Sequence, residues 1–169
     1  ASPALRAVCV GLKLLGLLAL AACLLEPLWI RQRVKPGANF FVLLADNSQG
    51  LQIKDRGAAQ TRGESLRALL VGGKATPWQA KLDENFQVRR YLFDARLQST
   101  RDYSELTFDG RATALASALK MIAGRYQGQP LAGVLLLSDG NATDLGAAAI
   151  DVAGRPPIYT VVIGSDEPV

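Results

Sequence analysis

Phe40-Phe41-Val42-Leu43-Leu44-Ala45-Asp46-Asn47-Ser48-Gln49-Gly50 (FFVLLADNSQG) is the stretch on which the reading of this chain turns. Residues 40–45 are apolar without interruption, which marks a strand covered on both faces rather than one with a wet side. The run then breaks into an acid, an amide, a hydroxyl and a glycine. A buried strand that delivers a carboxylate and a hydroxyl two residues apart at its tip brings chemistry to the edge of a core.

Outward from this strand the chain alternates. Pro36-Gly37 separates it from what precedes. Residues 61–71 carry Leu66, Leu69 and Leu70 at helical spacing and stop at Gly72-Gly73. Thr76-Pro77 opens a weaker helical stretch over 78–86, and residues 88–93 (VRRYLF) read as a strand. Residues 96–106 are polar and irregular, a loop or a short edge hairpin. Residues 113–126 place Leu115, Leu119 and Ile122 on one helical face. Residues 132–137 (AGVLLL) form a second apolar strand, ending in Ser138-Asp139-Gly140. An Ala-rich helix is expected over 144–153 and a last strand over 158–163. Strands alternating with helices predict an α/β fold: a three-layer, Rossmann-like, mostly parallel sheet with helices on both faces.

The N-terminal segment reads differently. Residues 7–30 (AVCVGLKLLGLLALAACLLEPLWI) contain only Lys13 and Glu26 as charges, each near an end, where a long side chain reaches the interface. About 20 apolar residues cross a bilayer as a helix. Leucines lie on every face, which argues against a core helix with one buried stripe. Trp29 followed by Arg31, Arg33 and Lys35 resembles an interfacial anchor. Leu20-Ala21-Ala22-Cys23 also fits a lipoprotein cleavage pattern, in which lipid on Cys23 would be the anchor. The apolar continuation through Leu24, Leu25, Leu28 and Ile30 favours the uncut helix. The expected organisation is a membrane segment with basic flank over 1–35 and a folded domain over 36–169. The flanking arginines and lysine alone would leave that domain cytoplasmic. The chain opens without Met, as an excerpt would, and upstream helices would change that vote.

Charge and composition exclude several functions. The net charge of +4 resides in residues 1–35, where Arg6, Lys13, Arg31, Arg33 and Lys35 face Glu26, while residues 36–169 balance to zero. A neutral domain announces no nucleic-acid surface. With 0 His, Ser-His-Asp and Cys-His catalysis and His-based zinc sites are out. Cys9 and Cys23 both lie in the apolar segment, so no disulfide framework is expected. Neither G-x-G-x-x-G nor G-x-x-x-x-G-K-[ST] occurs.

In parallel sheets ligands bind at the carboxyl ends of the strands. Asp46 and Ser48 follow one such end, Asp139 follows another, and Thr113 opens a helix. Together they make a hard oxygen set, suited to Mg²⁺, Mn²⁺ or Ca²⁺ and unsuited to zinc or copper. Each residue also has an ordinary role: Ser48 closing a turn, Thr113 as helix N-cap, Asp139-Gly140 as a turn. Asp109 reads as a turn acid, Arg89-Arg90 as solvated or edge-protecting, and Asn141-Ala142-Thr143 as a chance glycosylation match.

These motifs, D-N-S-Q-G at Asp46, Thr113 in GRATAL, and LLSDG at Asp139, resemble the von Willebrand factor A (VWA) domain over about residues 38–165. Its metal-ion-dependent adhesion site is written D-x-S-x-S, then T, then D. The resemblance implies that Ser48 and Thr113 bind a metal by their hydroxyls, with Asp46 and Asp139 acting mainly through waters. The family's second serine falls at Gly50, which has no oxygen to offer. A helix ending LLEPLW before such a domain is similar to bacterial membrane proteins carrying this module, in which the domain is often extracytoplasmic. The implied function is a membrane-anchored, non-enzymatic binding module that captures a carboxylate of a partner protein through its metal. Two alternatives stand beside it: a metal-free scaffold, and a phosphoryl-transfer hydrolase with Asp46 as nucleophile. For the hydrolase, Ser48 stands where a second acid is expected.

Overall fold

The computed structural model describes residues 2–24, 37–71, 77–145 and 156–164. The chain divides into two compact units, Ala1–Val34 and Lys35–Val169. The first holds a single described helix, α1 (Pro3–Leu24). It starts earlier than the expected position 7, because Pro3 suits a first turn, where its missing N–H costs no bond. The Leu5 N–H donates to the Ser2 carbonyl there at 3.0 Å. Leu5, Leu14, Leu15, Leu17, Leu18 and Leu20 are all exposed, on every side of the helix. Pro3–Ala21 is long and apolar enough to cross a membrane. Glu26, Trp29, Arg31, Arg33, Lys35 and the expected helix end at 30 lie outside the described residues.

The second unit is α/β, built on a five-stranded, mostly parallel sheet. Its strands are β1 (Phe40–Asp46), β2 (Gln87–Phe93), β3 (Leu97–Thr100), β4 (Leu131–Ser138) and β5 (Ile158–Val162), in the order β3-β2-β1-β4-β5. Among the described residues only β2 and β3 pair antiparallel. The helices are α2 (Arg62–Val71), α3 (Pro77–Asn85) and α4 (Leu115–Arg125). β1 is the central strand, and its uninterrupted apolar run has the expected cause. Phe41, Leu43 and Ala45 join one core cluster, with Leu66 and Leu70 of α2 and Trp78 and Leu82 of α3. Val42 and Leu44 join the other, with Leu115, Ala118, Leu119 and Ile122 of α4. Successive side chains of a strand point to opposite faces, so both faces of β1 are dry.

Several local expectations need correcting. α4 starts at Leu115 rather than 113, after Ala114, whose side chain makes no cap. The orphan N–H groups of its first turn are met from elsewhere in the chain. Ala116 and Ser117 donate to the two carboxylate oxygens of Asp144 at 3.0 and 2.8 Å. Asp144 itself is not helical, and residues 146–153 of the expected Ala-rich helix lie outside the described residues, as does Gly72-Gly73. Arg89-Arg90 protect no edge, because β2 lies inside the sheet between β1 and β3. Arg90 pairs with Asp83 at 2.8 Å, and the Arg89 guanidinium sits 5.6 Å from the centre of the Phe40 ring. The polar stretch 96–106 does supply the edge strand β3, turned back on β2. α2 opens on a capping box: Glu64 N–H donates to the Thr61 hydroxyl, and Thr61 N–H to the Glu64 carboxylate.

Candidate functional site at the tips of β1 and β4

The chain goes from β1 to one side of the sheet for β2 and β3, then crosses to the other side for β4 and β5. The strand order therefore reverses between β1 and β4, and the region outside their carboxyl ends is the usual ligand position in such sheets. Asp46 ends β1 and Asp139 follows β4 directly. Both sequence-predicted carboxylates thus stand at one point of the fold.

Asp46 is fully buried. One carboxylate oxygen accepts the Ser138 hydroxyl at 2.6 Å, the other the Ser48 N–H at 2.8 Å. Burial pushes its pKa up. The bonds from Ser138 and Ser48 pull it back, and the nearby Asp139 charge pushes it up again. The Ser48 hydroxyl also draws the Asp46 pKa down from close by, yet it forms no hydrogen bond of normal geometry. Ser48 is 3% exposed, and its Oγ is buried with no hydrogen-bond partner among the described residues. A buried hydroxyl without a well-formed hydrogen bond forfeits hydration that its proximity to Asp46 returns only in part.

The loop carrying Ser48 is held rigidly. Asn47 accepts the N–H groups of Thr107 and Phe108 on its side-chain oxygen, at 2.9 and 2.8 Å. Ser48 forms an isolated bridge with Gly110, and Gln49 N–H donates to the Gly110 carbonyl at 2.8 Å. Gly110 cannot be larger: a Cβ there would lie 2.4 Å from the Cβ of Asp94. A 3₁₀ turn, Gln49–Gln52, follows at once.

Gly50 belongs to this site. A Cβ built on it would stand 3.0 Å from Asp139 Oδ2 and 3.7 Å from Ser48 Oγ. Thr113 is buried, and its backbone is tied to Thr143 in both directions: Thr113 N–H to the Thr143 hydroxyl, and Thr143 N–H to the Thr113 carbonyl. Ser48, Gly50 and Thr113 line one pocket of about 200 Å³, together with Arg111, Asn141 and Thr143. Asp46 and Asp139 do not line it; they meet it through Ser48 and Gly50. All five predicted positions, Asp46, Ser48, Gly50, Thr113 and Asp139, therefore gather at one place. Asp109 is not among them; it accepts the Thr107 hydroxyl. Asn141, read as part of a chance sequon, donates to Asp139 and borders the pocket.

The sequence reading missed Ser138, although it is part of the quoted Ser138-Asp139-Gly140 motif. It also missed Arg62, whose guanidinium lies 2.6 Å from Asp55 and 3.5 Å from Asp139 Oδ2. Nothing at Arg62 in the sequence signals this, since it stands alone at a helix start far from either motif. Its hydrogen bond to Asp55 holds the guanidinium more firmly protonated still.

A hard divalent ion fits this donor set. The buried Ser48 oxygen without a partner and two carboxylates behind it are hard oxygen donors of the kind such an ion takes, while Gly50 adds space but no donor. No cluster of three His, Cys, Asp or Glu side chains suited to a metal occurs among the described residues, so hydroxyls and water would complete any coordination. Comparison with protein-family models and with curated proteins gives no match.

Proposed function

We propose that residues 36–169 are a VWA-like domain, three-layered and Rossmann-like, anchored to a membrane by the N-terminal helix. It captures a carboxylate of a partner protein through a divalent ion, Mg²⁺, Mn²⁺ or Ca²⁺. The observation that carries the reading is the Ser48 hydroxyl, buried and without a hydrogen-bond partner between Asp46 and Gly50. Ser48 and Thr113 would hold the ion by their hydroxyls, and Asp46 and Asp139 through waters. The ion supplies a Lewis-acidic position open to an outside carboxylate. Asp46 does not suit the hydrolase reading: it is fully buried, and each of its oxygens already accepts a hydrogen bond from the protein, so it presents no solvent-facing nucleophile.

The anchor rests on α1, whose apolar side chains are exposed all round. Resemblance to bacterial membrane proteins with this module favours an extracytoplasmic domain, and an uncut helix remains preferred over lipid on Cys23. A metal-free scaffold is the second reading, and one specific contact favours it: Arg62 beside Asp139.

Calorimetric titration of Mn²⁺ into the full chain in detergent tests the proposal. Wild type is expected to bind, and Ser48→Ala to lose binding. Ser48→Ala should also melt no lower than wild type in chelator, and is expected to be more stable by about 1 kcal/mol, because it removes an unsatisfied buried oxygen. Equal Mn²⁺ binding by the two proteins would refute a metal role for Ser48.

A further inference from the structure

We infer that Arg62 is the site's own cation: it competes with a divalent ion for Asp139, and so sets the metal affinity of the site. The inference rests on the metal reading above and concerns how that site is regulated.

The problem it solves is electrostatic. The Asp139 side chain is 0% exposed, and Asp46 is buried on the neighbouring strand tip. Two carboxylates withdrawn from water side by side repel each other, and each loses hydration. Without a counter-charge the arrangement is costly. Among the described residues Arg62 supplies one, its Nη1 donating to Asp139 Oδ2 at 3.5 Å. The same oxygen is the atom nearest a Cβ built on Gly50, and it receives the Asn141 side-chain amide at 3.4 Å.

The position of Arg62 is built rather than incidental. Its Nε and Nη2 both donate to Asp55 Oδ1, at 2.9 and 2.6 Å, and its side chain is only 10% exposed. Its backbone is fixed as well, since the Arg62 N–H donates to the Ile53 carbonyl at 3.0 Å. Gly164, just past β5, makes room for the guanidinium: a Cβ there would lie 2.7 Å from Arg62 Nε. A planar fork fixed on Asp55 at one edge reaches Asp139 with the other.

The long contact to Asp139 and the two short ones to Asp55 make the fork unequal. Asp55 holds the arginine whether or not Asp139 is engaged, so the hold on Asp139 can be given up without stranding a buried charge. An ion entering beside Ser48 and Gly50 takes over the neutralisation of Asp139, and Arg62 retains Asp55. In the absence of an ion, Arg62 keeps the carboxylate pair in place. The module thus stays folded at low metal concentration and has a raised threshold for loading.

The test compares wild type, Arg62→Gln and Arg62→Lys as full chains in detergent, by Mn²⁺ calorimetry and by melting in chelator. Arg62→Gln should bind Mn²⁺ about tenfold more tightly, the equivalent of one modest charge interaction. Arg62→Lys, which keeps the charge but not the fork, should lie between. In chelator Arg62→Gln should melt lower than wild type, with saturating Mn²⁺ closing the gap. In an Asp139→Asn background the same substitution should cost less, by the share that neutralises Asp139, the rest being the lost bonds to Asp55. That coupling is measured without metal and separates the two claims. Equal Mn²⁺ affinity in all three proteins would overturn the competition while leaving the metal reading standing. Absence of Mn²⁺ binding in every protein would overturn the metal reading and the competition with it. Absence of coupling to Asp139 would overturn the counter-ion role whatever the metal does.

Discussion

At the scale of single residues, Gly50 separates an adhesion-type site from a turn that happens to lie near two acids. The VWA pattern that the sequence resembles has a serine at this position, and a Cβ at Gly50 would face Asp139 and Ser48. Its φ lies outside the left-handed region, so no backbone strain opposes a side chain there. Gly50→Ser is expected to tighten Mn²⁺ binding several-fold, about 1 kcal/mol for one added polar contact. The gain requires Asp139 to yield by a few tenths of an ångström. Calorimetry of the two proteins checks this, and unchanged affinity in a normally folded variant would mean that Gly50 does not face the ion. The positions of Asp46, Ser48, Thr113 and Asp139 were legible in sequence because each sits at a strand tip or loop whose place the apolar runs reveal, whereas Gly50 entered only through the resemblance. Arg62 was not, because its role depends on α2 opening beside β4, a packing relation that no local pattern encodes.

At the scale of elements, the strands were the more legible part. Residues 40–45 and 132–137 are apolar because both faces of β1 and β4 are covered, and so short a run suits a strand better than a helix. Helix starts were less legible. The periodicity of Leu115, Leu119 and Ile122 marks the body of α4, but its first turn is completed by Asp144, distant in sequence. Asp144→Ala should therefore destabilise the fold by about 1 kcal/mol, the worth of a helix cap. Burial alone would raise the Asp144 pKa, but the bonds from Ser117 and Ala116 outweigh it and the net shift is downward. A carboxyl depressed in the folded state contributes its full stability above the unfolded pKa and loses it as pH falls through the folded one. Urea unfolding at neutral pH and near pH 3 should show the gap between wild type and variant narrowing in acid. A gap independent of pH would mean that the charge of Asp144 is not what holds α4.

At the scale of the whole molecule, the two units treat apolar side chains in opposite ways. α1 exposes leucines all round, whereas β1 in the other unit is dry on both faces. The contrast was legible in the charge distribution, with the net charge held in the first 35 residues. The full chain is expected to stay with membranes after a carbonate wash, and residues 36–169 expressed alone to be soluble. Release of the full chain by carbonate would contradict the anchor, and lipid labelling of Cys23 would replace the uncut helix with a lipoprotein anchor. The central claim, that the crevice between β1 and β4 holds a hard divalent ion, is tested most directly by anomalous diffraction from crystals grown with Mn²⁺. The account predicts an anomalous peak roughly 2.1 Å from both the Ser48 and Thr113 hydroxyl oxygens, with Asp46 and Asp139 one water further out. Crystals that show no peak there, with Arg62 closed fully onto Asp139, would contradict it.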